Sequence, residues 1–226
     1  MHAYEIEIKV LLGDQLARDT FMEAVQVNFP AVSHSYTESQ KNHYFEGGDL
    51  AKLGEIFASH LSHEEIVGLA DIREKAKSFS VRTRGTQDET ILVVKATVND
   101  ETSSNGTARI EWEVDLHPMS LEQMDELVLQ SGFIYQAKWS RDRDEYQLDH
   151  STALCIDRNA GYGYLAEFER VIDNPEKIEE TRTDLLQMIE FLGYKELDQA
   201  RLARMFDFYN QNWREYYGTE KVFVVE

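Results

Sequence analysis

The chain has 226 residues, with 23 Lys and Arg against 42 Asp and Glu and a formal net charge of −19 at pH 7. Its 42% hydrophobic and 11% aromatic content suffices for a packed core and excludes a disordered chain, while so acidic a surface argues against nucleic acid or an anionic membrane as partner. One cysteine, Cys155, rules out a disulfide framework and a multi-cysteine zinc site; with no stretch that reads as a membrane span or signal peptide, the expectation is a soluble cytoplasmic protein.

Residues 4–12 alternate apolar and polar and predict a strand. Residues 14–28 predict a helix capped by Asp14. The segment 32–46 ends in Gln40-Lys41-Asn42-His43-Tyr44-Phe45, which reads as extended, before Gly47-Gly48-Asp49 breaks the chain. Residues 50–76, rich in Leu, Ala, Glu and Lys, predict one or two helices; 77–85 and 89–99 predict a hairpin pair. Ser103-Ser104-Asn105-Gly106 reads as a turn, 107–116 as a strand and 120–131 as a helix behind Ser120. Three strands follow over 133–148, 152–158 and 162–172, with a turn at Asn159-Ala160-Gly161. Residues 175–192 predict a helix with Pro175 in its first turn, and 197–213 predict another. None of the three prolines lies in a low-complexity linker, so 1–226 reads as a single α+β domain with antiparallel strands, its C-terminal helices at about 175–215 packing on or capping the sheet.

The polar positions of these strands carry the chemistry. A period of two puts Glu5, Glu7 and Lys9 on one face and Tyr4, Ile6, Ile8 and Val10 on the other. In the same way Arg82 pairs with Arg84, Lys95 stands among apolar neighbours, Arg109 shares a face with Glu111 and Glu113, Glu167 flanks Phe168 with Glu169, and Asp157 follows Ile156. A solvated outer face accounts for any one such strand. The set as a whole places Arg and Glu in strand centres with few neutral substitutes. Arg suits planar contacts to phosphate oxygens, and paired carboxylates suit a hard divalent ion. In a closed barrel these faces line one cavity, fit for a metal-chelated polyphosphate.

The opening Glu5-x-Glu7-x-Lys9 resembles the ExExK signature of the CYTH domain, or triphosphate tunnel metalloenzymes, which include inorganic triphosphatases, thiamine triphosphatases and class IV adenylate cyclases. The likeness runs in order over about residues 4–170: Gln40-x-Asn42-x-Tyr44-Phe45, Ser80-Val81-Arg82-Thr83-Arg84, Leu92-Val93-Val94-Lys95, Arg109-Ile110-Glu111-Trp112-Glu113, the segment from Lys138, Cys155-Ile156-Asp157, Gly163 and Glu167-x-Glu169. The resemblance implies a closed eight-stranded antiparallel β-barrel, a triphosphate tunnel with helices packed outside. It implies that Lys9, Arg82, Arg84, Lys95, Arg109 and Lys138 hold the phosphates. Glu5, Glu7, Glu167 and Glu169, with Asp157 close by, would bind Mg²⁺ or Mn²⁺, and Glu111 and Glu113 would support catalysis, either by holding a second metal or by orienting water and the basic side chains. Lys138 and Arg141 have opposite parity and cannot both face inward without a bulge; Lys138 takes precedence over Arg141 and Arg143. The stretch 50–77 is an added helical cover.

The leading expectation is metal-dependent hydrolysis of inorganic triphosphate by a monomer or homodimer. Adenylate cyclase or thiamine triphosphatase chemistry on the same scaffold is the alternative. A non-enzymatic polyphosphate-binding module is disfavoured, since carboxylates weaken simple anion binding; a structural β-domain would show no thermal protection by triphosphate.

Overall fold

The computed structural model describes residues 4–97 and 109–225. Its elements are β1 (Tyr4–Gly13), α1 (Gln15–Asn28), β2 (Ser33–Gly47), α2 (Leu50–Phe57), α3 (His63–Lys75), β3 (Ser78–Gly85), β4 (Thr90–Thr97), β5 (Arg109–Asp115), α4 (Leu121–Gln130), β6 (Phe133–Gln147), β7 (Ala153–Asn159), β8 (Gly163–Ile172), α5 (Ile178–Phe191) and α6 (Gln199–Tyr216). Residues 50–76 form two helices, and Pro175 opens a 3₁₀ turn that leads into α5. The turn expected at Ser103-Ser104-Asn105-Gly106 lies outside the described residues.

Local chemistry sets the helix starts. The Asp14 carboxylate accepts from the Ala17 N–H at 2.9 Å, and Ser62 and Ser120 form reciprocal capping boxes with Glu65 and Gln123. Gly163 begins β8 at φ +72°, where a Cβ would stand 2.1 Å from the Gly13 carbonyl oxygen, so only glycine fits.

The strands form one antiparallel eight-stranded sheet in the order β1-β8-β7-β6-β2-β3-β4-β5. The closed barrel expected from the resemblance is not made by hydrogen bonds among the described residues, because β1 and β5 end the order without pairing to each other. The described chain divides into two compact units, one holding 4–39 and 140–225, the other 40–97 and 109–139.

In the first unit, the odd-numbered positions of β1 face away from a core in which Ile6, Ile8, Val10, Leu154, Ile156 and Phe168 pack against Phe21, Val25, Leu185 and Ile189 of α1 and α5. Each such side chain, buried nearly completely, contributes roughly 1.5–3 kcal/mol. The loop between α5 and α6 returns to β1, where the Leu197 N–H donates to the Lys9 carbonyl at 2.7 Å. After α6 the chain docks by its backbone on Gly161, which donates to Lys221 O at 3.0 Å and accepts from the Phe223 N–H at 2.8 Å. Phe223 joins Tyr162 and the fully buried Tyr209 in an aromatic cluster.

In the second unit, Val81, Leu92, Val94, Trp112 and Val114 of β3, β4 and β5 bury one sheet face under Leu53 and Phe57 of α2, Leu69 and Ile72 of α3, and Met124 and Val128 of α4. The helices of 50–77 thus cover this sheet face and share its core. Among the described residues, no helix is long and apolar enough to cross a membrane.

Candidate active site

In the first unit the pairing register sets Lys9 opposite Glu167, Glu7 opposite Glu169, and Arg143 opposite Asp157. Cys155 links the two sides by pairing with Glu145 on β6 and Glu167 on β8. Directly opposed residues share a face, so four strands carry one charged surface. Lys9 binds Glu7 and, at 2.5 Å, Glu167. Arg143 holds Asp157 at 2.7 Å, pairs with Glu167, and lies 3.7 Å from Glu169; Arg141 reaches Asp157 at 2.7 Å and Glu167 at 3.9 Å. Asp157 is fully buried, and Glu167 and Arg143 nearly so.

This lattice of charge separates the carboxylates. Burial alone would raise the Glu167 carboxyl, but Lys9, Arg143 and Arg141 outweigh it and hold Glu167 below the usual carboxylate range. Glu169 is pushed up to about 7 by burial and by the charges of Glu167 and Glu5, which Arg143 and Lys9 only partly offset. Of the five acids expected to bind metal, Glu5, Glu7 and Glu169 each bring an oxygen within 4.8 Å of the others. Asp157 and Glu167 are instead engaged by the arginines and Lys9. Burial and the nearby Glu169 push the Cys155 thiol up, which makes it inert as a nucleophile.

In the second unit Tyr44 lies opposite Arg82, Asn42 opposite Arg84, Val93 opposite both Arg82 and Glu113, and Lys95 opposite Glu111. Arg82 reaches Glu111 at 3.3 Å and Glu113 at 3.8 Å; Arg84 binds Glu113 at 2.8 Å, and Lys95 binds Glu111 at 2.9 Å. The Tyr44 hydroxyl accepts from Arg82 at 3.2 Å. Burial would raise Glu111, but Lys95 and Arg82 lower it overall; Glu113, raised by burial and by its neighbour Glu111, stays above its ordinary value despite Arg84.

The expected residues do not all behave alike. Arg109 begins β5, but its side chain lies outside the described residues. Lys138 was preferred to Arg141 and Arg143, yet the two arginines join the acids of β7 and β8, while the Lys138 ammonium lies 3.6 Å from Asp125 and 4.2 Å from the Tyr135 ring centroid. The parity conflict between 138 and 141 is thus met by different partners for each. Sequence reasoning gave no role to Asn42 and Tyr44, which share the face of the arginine pair, although their alternation in Asn42-x-Tyr44 was the available signal.

The molecule is thus an α+β protein whose antiparallel strands carry interleaved acids and bases on one face and core on the other. The sequence model of the CYTH domain matches residues 3–203, and the chain belongs to the CYTH domain family. No curated protein sequence matches it. Among solved structures, protein PH1819 from Pyrococcus horikoshii has a TM-score of 0.59 at 19% identity, covering 87% of this chain and 94% of that one. A protein from Vibrio parahaemolyticus described as a candidate adenylate cyclase has a TM-score of 0.59 at 13% identity, over 90% of this chain and 98% of its own. HpAC1 from Hippeastrum, a candidate adenylyl cyclase with a dominant triphosphatase activity, has a TM-score of 0.50 at 16% identity, over 90% and 96%. At these identities the likeness is one of fold.

Proposed function

We propose that this chain is a divalent-metal-dependent triphosphatase acting on inorganic tripolyphosphate. The observation that carries the reading is the Glu5, Glu7 and Glu169 cluster on the strand face that also bears Lys9, Arg141 and Arg143. Acids alone would repel a polyphosphate and bases alone would not need so many carboxylates; the combination suits phosphate chelated to a cation. The cluster's oxygens are hard donors within 4.8 Å of one another. Such donors suit Mg²⁺ or Mn²⁺, and an ion held there would neutralise charge on phosphate oxygens.

The chain's own residues then do the following. In the first unit Lys9, Arg141 and Arg143 bind phosphate oxygens, and in the second Arg82, Arg84 and Lys95 are suited to the same task; Lys138, engaged with Asp125, is the weakest candidate. Arg82 and Arg84 are held by Glu111, Glu113 and Tyr44, so their donors are oriented before substrate arrives and stabilise charge building on the leaving diphosphate. A water oxygen forms the new bond to the terminal phosphorus as the bridging P–O bond breaks and diphosphate leaves, while Glu111 and Glu113 orient the basic side chains of Arg82, Arg84 and Lys95. Glu5, Glu7 and Glu169 disfavour binding of the anion without its cation, while Asp157 and Glu167 hold Lys9, Arg141 and Arg143 in place.

The test is a panel of tripolyphosphate, thiamine triphosphate, ATP and diphosphate with Mg²⁺, Mn²⁺ or Ca²⁺. Metal-dependent release of orthophosphate, fastest from tripolyphosphate, is expected; no turnover of any triphosphate would overturn the reading. The name of the Vibrio protein favours adenylate cyclase as the second reading, in which the ribose hydroxyl displaces diphosphate from ATP, while that of the Hippeastrum protein gives triphosphatase as its dominant activity. The same panel separates the two, since cyclic AMP with diphosphate replaces orthophosphate.

A further inference from the structure

Among the described residues, the most buried acid outside the candidate site is Asp125, 2% exposed, on the sheet-facing side of α4. Its carboxylate accepts from Thr83 Oγ1 at 2.6 Å, from His43 Nδ1 at 2.7 Å and from the Tyr135 hydroxyl at 2.7 Å, with Lys138 Nζ 3.6 Å away. A carboxylate can only accept, so the proton sits on His43 Nδ1.

These donors are strand neighbours of the proposed phosphate-binding residues. His43 lies between Asn42 and Tyr44, Thr83 lies between Arg82 and Arg84, and His43 pairs directly with Thr83. Fixing His43 and Thr83 to one carboxylate therefore fixes the alternate side chains on the opposite face. Phe45 and Val81, also directly paired, hold the same strands under the helices, but apolar contact is non-directional. It forbids a one-residue slip, which would turn the core positions to the opposite face, while the carboxylate shared by His43 and Thr83 adds a directional link at that one pair. Stability alone gives no account of the cluster, because apolar residues of the same volume often stabilise as well as a buried ionic group or better.

We propose that Asp125 is a positioning residue for Arg82 and Arg84, locking β2 to β3 from the side away from substrate. The inference rests on the reading that those two arginines hold phosphate. The test compares the full chain with a triple variant, His43→Phe, Thr83→Val and Asp125→Leu, that keeps the volume apolar. Calorimetry should show a single cooperative transition, as expected of a folded chain. Titration with Mn²⁺ alone should give the parent's affinity, since the Glu5, Glu7 and Glu169 cluster is untouched. Titration with tripolyphosphate in Mn²⁺ should be weaker by on the order of ten- to a hundredfold, the range expected of misplaced binding groups. A folded variant with the parent's tripolyphosphate affinity overturns the proposal. If the triple variant does not fold, Thr83→Val alone should weaken tripolyphosphate binding in the same direction at unchanged Mn²⁺ affinity, and an unchanged tripolyphosphate affinity overturns it. Should the parent itself bind no tripolyphosphate, the functional reading falls separately. The positioning is then read from the Arg82 and Arg84 Nε–H resonances, which move in the variant if Asp125 sets them and stay in place if it does not.

Discussion

Glu169 and Arg143 show how differently two neighbours in one charged surface respond to loss. Glu169 faces Glu5, Glu7 and Glu167 with its charge only partly offset. Glu169→Gln is expected to raise the melting temperature of the metal-free protein by removing that repulsion. The same change should abolish the further rise that Mn²⁺ produces by mass action; scanning fluorimetry with and without Mn²⁺ checks both, and a retained Mn²⁺ response would remove Glu169 from the metal set. Arg143→Ala leaves Asp157 and Glu167 buried with fewer partners. It should cost about 3–5 kcal/mol in urea unfolding, whereas Arg82→Lys should leave the unfolding midpoint nearly unchanged and weaken tripolyphosphate binding, because an ammonium cannot reproduce the guanidinium fork.

Helix α4 and strand β8 each depend on one position. Burial alone would raise the Asp125 carboxyl, but hydrogen bonds from His43, Thr83 and Tyr135 lower it overall. A folded value below the unfolded one means that the stabilisation is fully present above the unfolded pKa, about 3.9, and is lost as pH falls through the folded value. Asp125→Asn should therefore lower stability by about 1–3 kcal/mol at neutral pH, with the gap to the parent closing in acid; a gap independent of pH would contradict the assignment. Gly163→Ala should destabilise by more than about 1 kcal/mol, because the new methyl would strike the Gly13 carbonyl. Much at this scale was legible in the sequence. The alternation in β1, β3, β5 and β8 put the acids and bases on one face, and Asp14, Ser120 and Pro175 marked helix starts. Asp125 was missed among Glu122 and Glu126, which make the segment look like a solvated acidic face. The signal was its position, for it shares the stripe of Leu121, Met124 and Val128 that the helix buries. Parity along β6 likewise states that 138 and 141 differ but not which acids each meets, Asp125 for Lys138 and Asp157 for Arg141.

Across the whole molecule the excess of acid is large, with 42 carboxylate side chains against 23 Lys and Arg. Self-repulsion opposes the compact state, and the Debye length falls from about 30 Å at 0.01 M salt to about 3 Å at 1 M. The urea midpoint of the metal-free protein should thus rise with NaCl, while tripolyphosphate binding weakens as its ionic contacts are screened; a midpoint that falls with salt would mean that attractive pairs dominate the balance. The contact between Leu197 and Lys9 has a separate consequence. Because β1 ends the hydrogen-bonded order among the described residues, its outer rim has no strand partner there, and such a rim is a template on which a stray chain could add a strand and begin to aggregate. By claiming the Lys9 carbonyl, the turn ahead of α6 interrupts that template and guards solubility at the very residue whose ammonium binds Glu167.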